Sequence, residues 1–146
     1  GQRHPAEPIE KAQDQDPCYA VAAVAAQFQC KDVAARKSAV RAIARLAGPC
    51  RDLAVELLLP MMQDESADVR YAAVNSLLQA APKGHQNAIG AMKVRLEDQE
   101  VSQDCRPGYS VGVSAAKALK KMVTCREDLV QIANDLNFQG PSLRGF

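Results

Sequence analysis

Three segments of the chain concentrate basic side chains and contain no acidic residue. Segments 33–47, 69–81 and 111–123 hold eight of the 18 lysines and arginines, which leaves 10 basic residues against 17 acidic ones elsewhere. A segregation of this size within a chain of net charge +1 predicts a basic surface that docks a carboxylate-rich or phosphate-rich partner. The eight residues are Arg36, Lys37, Arg41, Arg45, Arg70, Lys117, Lys120 and Lys121.

Residues that could bind a metal or act in catalysis are sparse. The two histidines, His4 and His85, lie far from any cluster of cysteines, and there is no C-x-x-C pair of the kind that zinc sites use. No serine, histidine and aspartate set suggests a hydrolase, and no glycine-rich loop carries the phosphate-binding lysine. We therefore expect no metal, no cofactor and no enzymatic activity.

The cysteines are odd in number and widely spread, which favours reduced thiols in a reducing compartment inside the cell, either the cytoplasm or an organelle interior. One disulfide in an oxidising compartment is the alternative. The N-terminus has no apolar leader, although a cleaved targeting segment stays open, and the longest apolar stretch, 57–62, is too short to span a membrane. The five are Cys18, Cys30, Cys50, Cys105 and Cys125.

The basic segments must be positioned by helices, because their apolar residues recur at helical spacing. Asp16 before Pro17 predicts a helix start, and Gly48-Pro49 predicts a helix end. Helices are predicted over 19–28, 33–47, 51–62, 69–81, 85–97, 111–123 and 127–137.

These helices repeat. A shift of 34 residues places Val40 on Val74 and Arg36 on Arg70, and a further shift of 42 places Val74 on Ala116. A two-helix unit with this period is typical of an α-solenoid.

The middle unit, 58–81 (LLPMMQDESADVRYAAVNSLLQAA), resembles a HEAT repeat. The matching features are Pro60 in the first helix, an acidic turn, Val69-Arg70 and an alanine-rich second helix that contains Leu77. The resemblance covers about residues 17–137. It implies an all-α, right-handed α-α superhelix of about three helical hairpins plus a C-terminal helix.

In the HEAT family an acidic turn residue pairs with an arginine between adjacent repeats. The resemblance assigns this ladder to Asp68 with Arg70, and to Asp32 with Arg36. In the third repeat Gly112 replaces the arginine, so the ladder is expected to stop there.

The resulting division has an extended arm, a repeat domain and an irregular tail. The arm is 1–15, the domain is 16–137 and the tail is 138–146, with repeats over 16–48, 49–84 and 85–124 and a terminal helix over 125–137.

The resemblance also implies that the second helix of each repeat lines a concave face. The register puts Arg41, Asn75 and Lys117 in one row, and Arg45, Gln79 and Lys121 in the next, with Lys120 beside them. This pattern predicts a non-catalytic protein-interaction scaffold, a subunit or accessory of a larger complex, with an acidic protein as partner.

Three alternatives remain. The basic residues could be only the solvated sides of helices. They could bind nucleic acid, although Tyr71 is the only aromatic residue in these helices. The chain could also be a HEAT-like enzyme subunit of the bilin-lyase type, which would need a cavity with an acidic or cysteine group.

A longer connection, 98–110, lies inside the third repeat, between its two helices, and we call it the insertion. Long connections in compact repeats are often functional. Cys105, Arg106 and Tyr109 are the predicted partner contacts, and a tolerated surface insertion is the alternative.

Overall fold

A computed structural model describes residues 16–123, together with residues 130 and 134. The predicted arm, the tail and most of the predicted seventh helix lie outside the described residues; Val130 and Asn134 are helical. The described chain contains six α-helices and no strand, so the prediction of an all-α fold is confirmed for it. The helices are α1 Pro17–Ala25, α2 Val33–Leu46, α3 Arg51–Leu58, α4 Ala67–Ala80, α5 Gln86–Arg95 and α6 Val111–Met122.

Side chains just before the helices fix where they begin. The Asp16 carboxylate accepts a hydrogen bond from the Cys18 amide at 2.8 Å, with Pro17 as the first helical residue. Asp32, Ser66 and Ser110 accept equivalent bonds before α2, α4 and α6. Each cap satisfies an amide that has no partner inside its helix, and this defines the start of the helix.

The predicted helix over 51–62 is shorter than expected. The α-helix ends at Leu58 and continues as a 3₁₀ segment, Leu59–Gln63. Pro60 explains the change, because its ring removes a backbone donor and disfavours a continuing α-helix. Helix α1 is also followed by a 3₁₀ segment, Ala26–Gln29, which contains no proline.

The even-numbered helices lie side by side, with α2 packed on α4 and α4 packed on α6. Val40, Val74 and Ala116 occupy matching positions in the three helices, and each is fully buried. Helix α1 packs on α2, α3 packs on α4, and α5 packs on α6. Periodic apolar positions therefore build one continuous core that holds the three basic helices in a fixed row.

A disulfide joins Cys18, at the start of α1, to Cys50, just after α2, with the Cα atoms 5.4 Å apart. The expectation of reduced thiols is wrong for this pair, and the single-disulfide alternative describes it. The two cysteines meet only because α1 packs on α2, which their separation of 32 residues does not reveal. Cys30 and Cys105 are free thiols, and the bonded pair removes the basis for expecting a reducing compartment.

Within the described part of the chain, every helix is too short or too polar to cross a bilayer.

Candidate functional site

Two buried arginines hold successive parts of the stack together. The Arg36 guanidinium donates to both carboxylate oxygens of Asp64, at 3.0 and 3.1 Å, and to the backbone oxygens of Cys30 and Lys31. Arg70 repeats this arrangement 34 residues later. It donates to both oxygens of Asp98, at 2.7 and 3.3 Å, and to two backbone oxygens of the preceding loop.

This geometry corrects the predicted partners. Asp32 caps α2 through the Ala34 amide, and Asp68 accepts bonds from the Ser102 hydroxyl and the Gln103 amide. The carboxylates that bind the arginines are instead Asp64 and Asp98, each 28 residues after its arginine. The physical reason is reach: an arginine early in the second helix extends to the loop of the following pair, where the carboxylate completes a two-pronged contact.

The third unit replaces the arginine contact by a backbone contact. Arg36 donates to the Cys30 oxygen and Arg70 to the Asp64 oxygen, each at 2.9 Å. At the next equivalent position, the Asp98 oxygen accepts from the Gly112 amide at 2.8 Å. A Cβ atom on Gly112 would lie 2.5 Å from the Leu96 oxygen and 2.8 Å from the Asp98 oxygen. The loop therefore rests directly on the backbone of α6, and only glycine permits this approach.

Replacing Gly112 by alanine is expected to lower the free energy of unfolding by about 1–3 kcal/mol, because the added Cβ must push backbone atoms apart. Gly90→Ala on α5 is the matched control. A Cβ there meets nothing within 4 Å, so it is expected to stabilise by up to about 1 kcal/mol through helix propensity. Urea denaturation of both variants measures the contrast. Equal stability would show that the close approach at Gly112 is wrong.

The side chains predicted to form two rows lie on one exposed surface. The basic face is defined as the surface of α2, α4 and α6 that carries these residues. Since the three helices pack side by side, the rows lie across adjacent helices. Its members, all exposed, are Arg41, Arg45, Asn75, Gln79, Lys117, Lys120 and Lys121.

The insertion lies against this face. The Asp104 carboxylate is 3.0 Å from both Lys37 and Arg41 on α2, although it is 63 residues from Arg41 in the chain. On α6, the Lys117 ammonium donates to the Tyr109 hydroxyl at 3.0 Å and lies 4.4 Å from the centre of its ring. The insertion therefore contacts the first and last helices of the face.

The other predicted residues of the insertion differ in exposure. Cys105 is half-buried, with its sulfur 3.9 Å from the Ser114 hydroxyl of α6. Arg106 is exposed and interacts with Tyr109. The hydrogen bond from Lys117, together with its charge, lowers the pKa of Tyr109. Arg106 is therefore exposed, whereas Cys105 and Tyr109 are both half-buried beside α6.

Asp68 on α4 binds the middle of the insertion. Its carboxylate accepts from the Ser102 hydroxyl at 2.7 Å and from the Gln103 amide at 2.8 Å, and Ser102 is buried. The Ser102 hydrogen bond lowers the pKa of Asp68, and with the Gln103 amide and the charges of Lys37 and Arg41 it outweighs the opposing effect of burial. The carboxylate is therefore ionised at neutral pH and holds the insertion in place.

The basic surface is smaller than the sequence predicts. Of the eight basic residues that the sequence predicts for this surface, Arg36 and Arg70 are buried in ion pairs. Lys37 and Arg41 share Asp104. Positive charge at the other end of the face comes from Arg45, on α2, and from the lysines of the last turns of α6.

An open cleft of about 460 Å³ lies beside the arginine ladder. Its inner carboxylates, Asp64 and Asp98, are bound by Arg36 and Arg70, and Arg95 also contacts Asp98 at 3.3 Å. Within the described chain no group of histidine, cysteine, aspartate or glutamate residues is placed to hold a metal ion. The cleft therefore has the character of a structural ion-pair network.

No family model, curated protein or solved structure matches this chain. The internal repeat is therefore supported by the molecule itself, through the matched contacts of Arg36 and Arg70.

Sequence reasoning missed three residues that make these contacts: Asp64, Asp98 and Asp104. Asp64 and Asp98 are separated by the same 34 residues as the arginines, so the register contained a signal for them. Lys37 is one of the eight basic residues singled out in the sequence, but its partner Asp104 had no such signal, because their pairing depends on how the insertion folds across α2. The basic face and the insertion are in direct contact.

Proposed function

We propose that the chain is a HEAT-like, right-handed helical solenoid that acts as a non-catalytic scaffold, and that its basic face docks an acidic segment of a partner protein. The solenoid part is supported by the repeated arginine contacts and by the row of α2, α4 and α6. Such stacks offer extended surfaces to partners.

One observation carries the docking part. The basic face already binds a carboxylate, because Asp104 lies 3.0 Å from Lys37 and from Arg41. These cations are only partly buried, unlike Arg36 and Arg70, so the same contact is open to a carboxylate from another chain. The proposed ligand, a carboxylate from another chain, is therefore of the same chemical class as the Asp104 side chain that this face binds within the molecule.

An acidic protein fits this face better than a nucleic acid does. Single-stranded nucleic acids are held by aromatic stacking as well as by charge. Tyr71 is the only aromatic residue of α2, α4 and α6 and is half-buried. The lyase alternative gains no support from the described cleft, whose inner carboxylates are held by arginines.

The test is to reverse two charges at the end of the face that is farther from Asp104. Arg45→Glu with Lys121→Glu is expected to weaken binding of a fluorescent ten-residue glutamate peptide at least about tenfold at low salt, because attraction becomes repulsion. Fluorescence anisotropy measures the affinity. Helical circular dichroism is expected to be unchanged, since both side chains are exposed.

The matched control is Lys31→Glu with Arg51→Glu, which changes the net charge equally at exposed positions outside the face. This variant is expected to keep peptide affinity within about twofold. If both double variants bind alike, the docking function is wrong. If random duplex DNA binds more tightly than the peptide, with a steep loss of affinity as salt rises, the nucleic-acid alternative replaces it.

A further inference from the structure

The insertion makes two kinds of contact with the rest of the molecule. Its first part is held by buried groups: Asp98 binds Arg70, and Ser102 binds Asp68. The Asp104 amide also donates to the Ser102 hydroxyl, at 3.0 Å, whereas the Asp104 carboxylate is held nearer the surface, by Lys37 and Arg41. The two kinds of contact should therefore differ in how easily they are released.

The Asp104 contact has the geometry of a bound ligand. One oxygen of its carboxylate, Oδ2, is 3.0 Å from both the Lys37 ammonium and the Arg41 guanidinium. The two cations are neighbours because they are four residues apart on α2. Asp68 is a second carboxylate within reach of these two charges, so the subsite carries a net positive charge once Asp104 has left it.

This contact is weak enough to exchange. The side chains of Lys37, Arg41 and Asp104 are 21%, 44% and 31% exposed, whereas those of Arg70 and Asp98 are each 6% exposed. Ion pairs open to water contribute little net stability, because water solvates the separated charges almost as well. A competing carboxylate on a multivalent segment would replace Asp104 at small cost.

We propose that Lys37 and Arg41 form the carboxylate-binding subsite of the basic face, that Asp104 fills it in the free chain, and that an acidic partner segment binds by displacing Asp104. The inference rests on the proposed docking function and adds its main subsite and its internal competitor. Ser102, held by Asp68, stays in place, so the displacement is confined to the part of the insertion from residue 104 onward. That part continues to Tyr109, whose contact with Lys117 loosens with it.

The test is Asp104→Asn, which keeps the size of the side chain and removes its charge. The ten-residue glutamate peptide is expected to bind this variant about threefold to tenfold more tightly, because it no longer competes with an internal carboxylate. Glu56→Gln is the matched control: it removes one negative charge at an exposed position on α3. Its affinity is expected to equal that of the wild type within about twofold.

A second measurement observes the displacement itself. The Cys105 amide donates to the Ser102 oxygen, and the Tyr109 amide to the Arg106 oxygen, at 3.1 and 3.0 Å. Saturating the wild-type protein with the peptide is expected to speed hydrogen exchange at these two amides. Exchange at the Gly112 amide, which is bonded to Asp98, is expected to be unchanged.

The two proposals fail separately. If Arg45→Glu with Lys121→Glu abolishes peptide binding while Asp104→Asn binds as the wild type does, the competitor is wrong and the docking face stands. Unchanged exchange at Cys105 and Tyr109 on peptide binding would also overturn the displacement. If no variant alters peptide affinity, the docking function itself fails.

Discussion

Replacing Arg70 by methionine is expected to lower the free energy of unfolding by about 3–5 kcal/mol. Arg70 is 5% exposed, and its guanidinium donates hydrogen bonds to Asp98, Glu100 and two backbone oxygens. Removing one partner of a buried ion pair leaves the other charged and poorly solvated, which costs more than the pair itself contributes. Chemical denaturation followed by circular dichroism measures the loss.

Arg41→Met is the matched control, because Arg41 also pairs with an aspartate, at 3.0 Å, but on the surface. We expect it to cost no more than about 1 kcal/mol. The double variant Arg70→Met with Asp98→Asn is expected to recover part of the stability, since it removes the stranded charge. Comparable losses at Arg70 and Arg41 would contradict the assignment of Arg70 to a buried ladder.

The same pair predicts a dependence on pH. Burial alone would raise the pKa of Asp98, but hydrogen bonds from Arg70 and the Glu100 amide, with the charges of Arg70 and Arg95, outweigh it and lower the pKa. Such a carboxyl contributes stability above its unfolded pKa, near 4, and loses that contribution as the pH falls through its folded pKa. In Arg70→Met, Asp98 stays buried but loses the hydrogen bonds and the charge of Arg70, so the pKa of Asp98 should rise. The difference in free energy of unfolding between wild type and variant is therefore expected to narrow as the pH falls from the folded pKa of Asp98 in the variant to its lower folded pKa in the wild type.

Local rules were sufficient for the helices and for the register between them. The caps at Asp16 and Asp32 are set by short-range hydrogen bonds, which the order of residues determines. Burial of Val40 and Val74 follows from apolar periodicity repeated at the same spacing. Helical structure and core positions could therefore be predicted without any matching protein.

Contacts across the stack could not be predicted in the same way. The partners of Arg36 and Arg70 lie in the loop of the next pair, and the choice between Asp68 and Asp98 depends on the direction of the side chain. The Asp104 contact depends on the path of the insertion, which no periodicity describes. Sequence reasoning therefore identified the basic face but missed the carboxylate that lies on it.

Removing the disulfide, by Cys18→Ser with Cys50→Ser, is expected to lower the free energy of unfolding by about 3–4 kcal/mol. A bond across a separation of 32 residues restricts the unfolded chain, and this is the size of its loop-closure entropy. It also fastens α1, whose Val21 side chain is fully buried. Urea denaturation with and without a reducing agent measures the effect.

The reducing agent makes this prediction specific to the bond. Wild-type protein is expected to lose stability on reduction, whereas the Cys18→Ser, Cys50→Ser variant is expected to be insensitive to it. Cys30→Ser with Cys105→Ser is the matched control: both thiols are free, so its response to reduction should equal that of the wild type. If reduction leaves the wild type unchanged, Cys18 and Cys50 are not bonded in solution. The first helix is then held only by its packing, which includes the buried Val21 and the half-buried Val24 and Ala25. Helix α1, which carries no residue of the basic face, would then open before the helices that do.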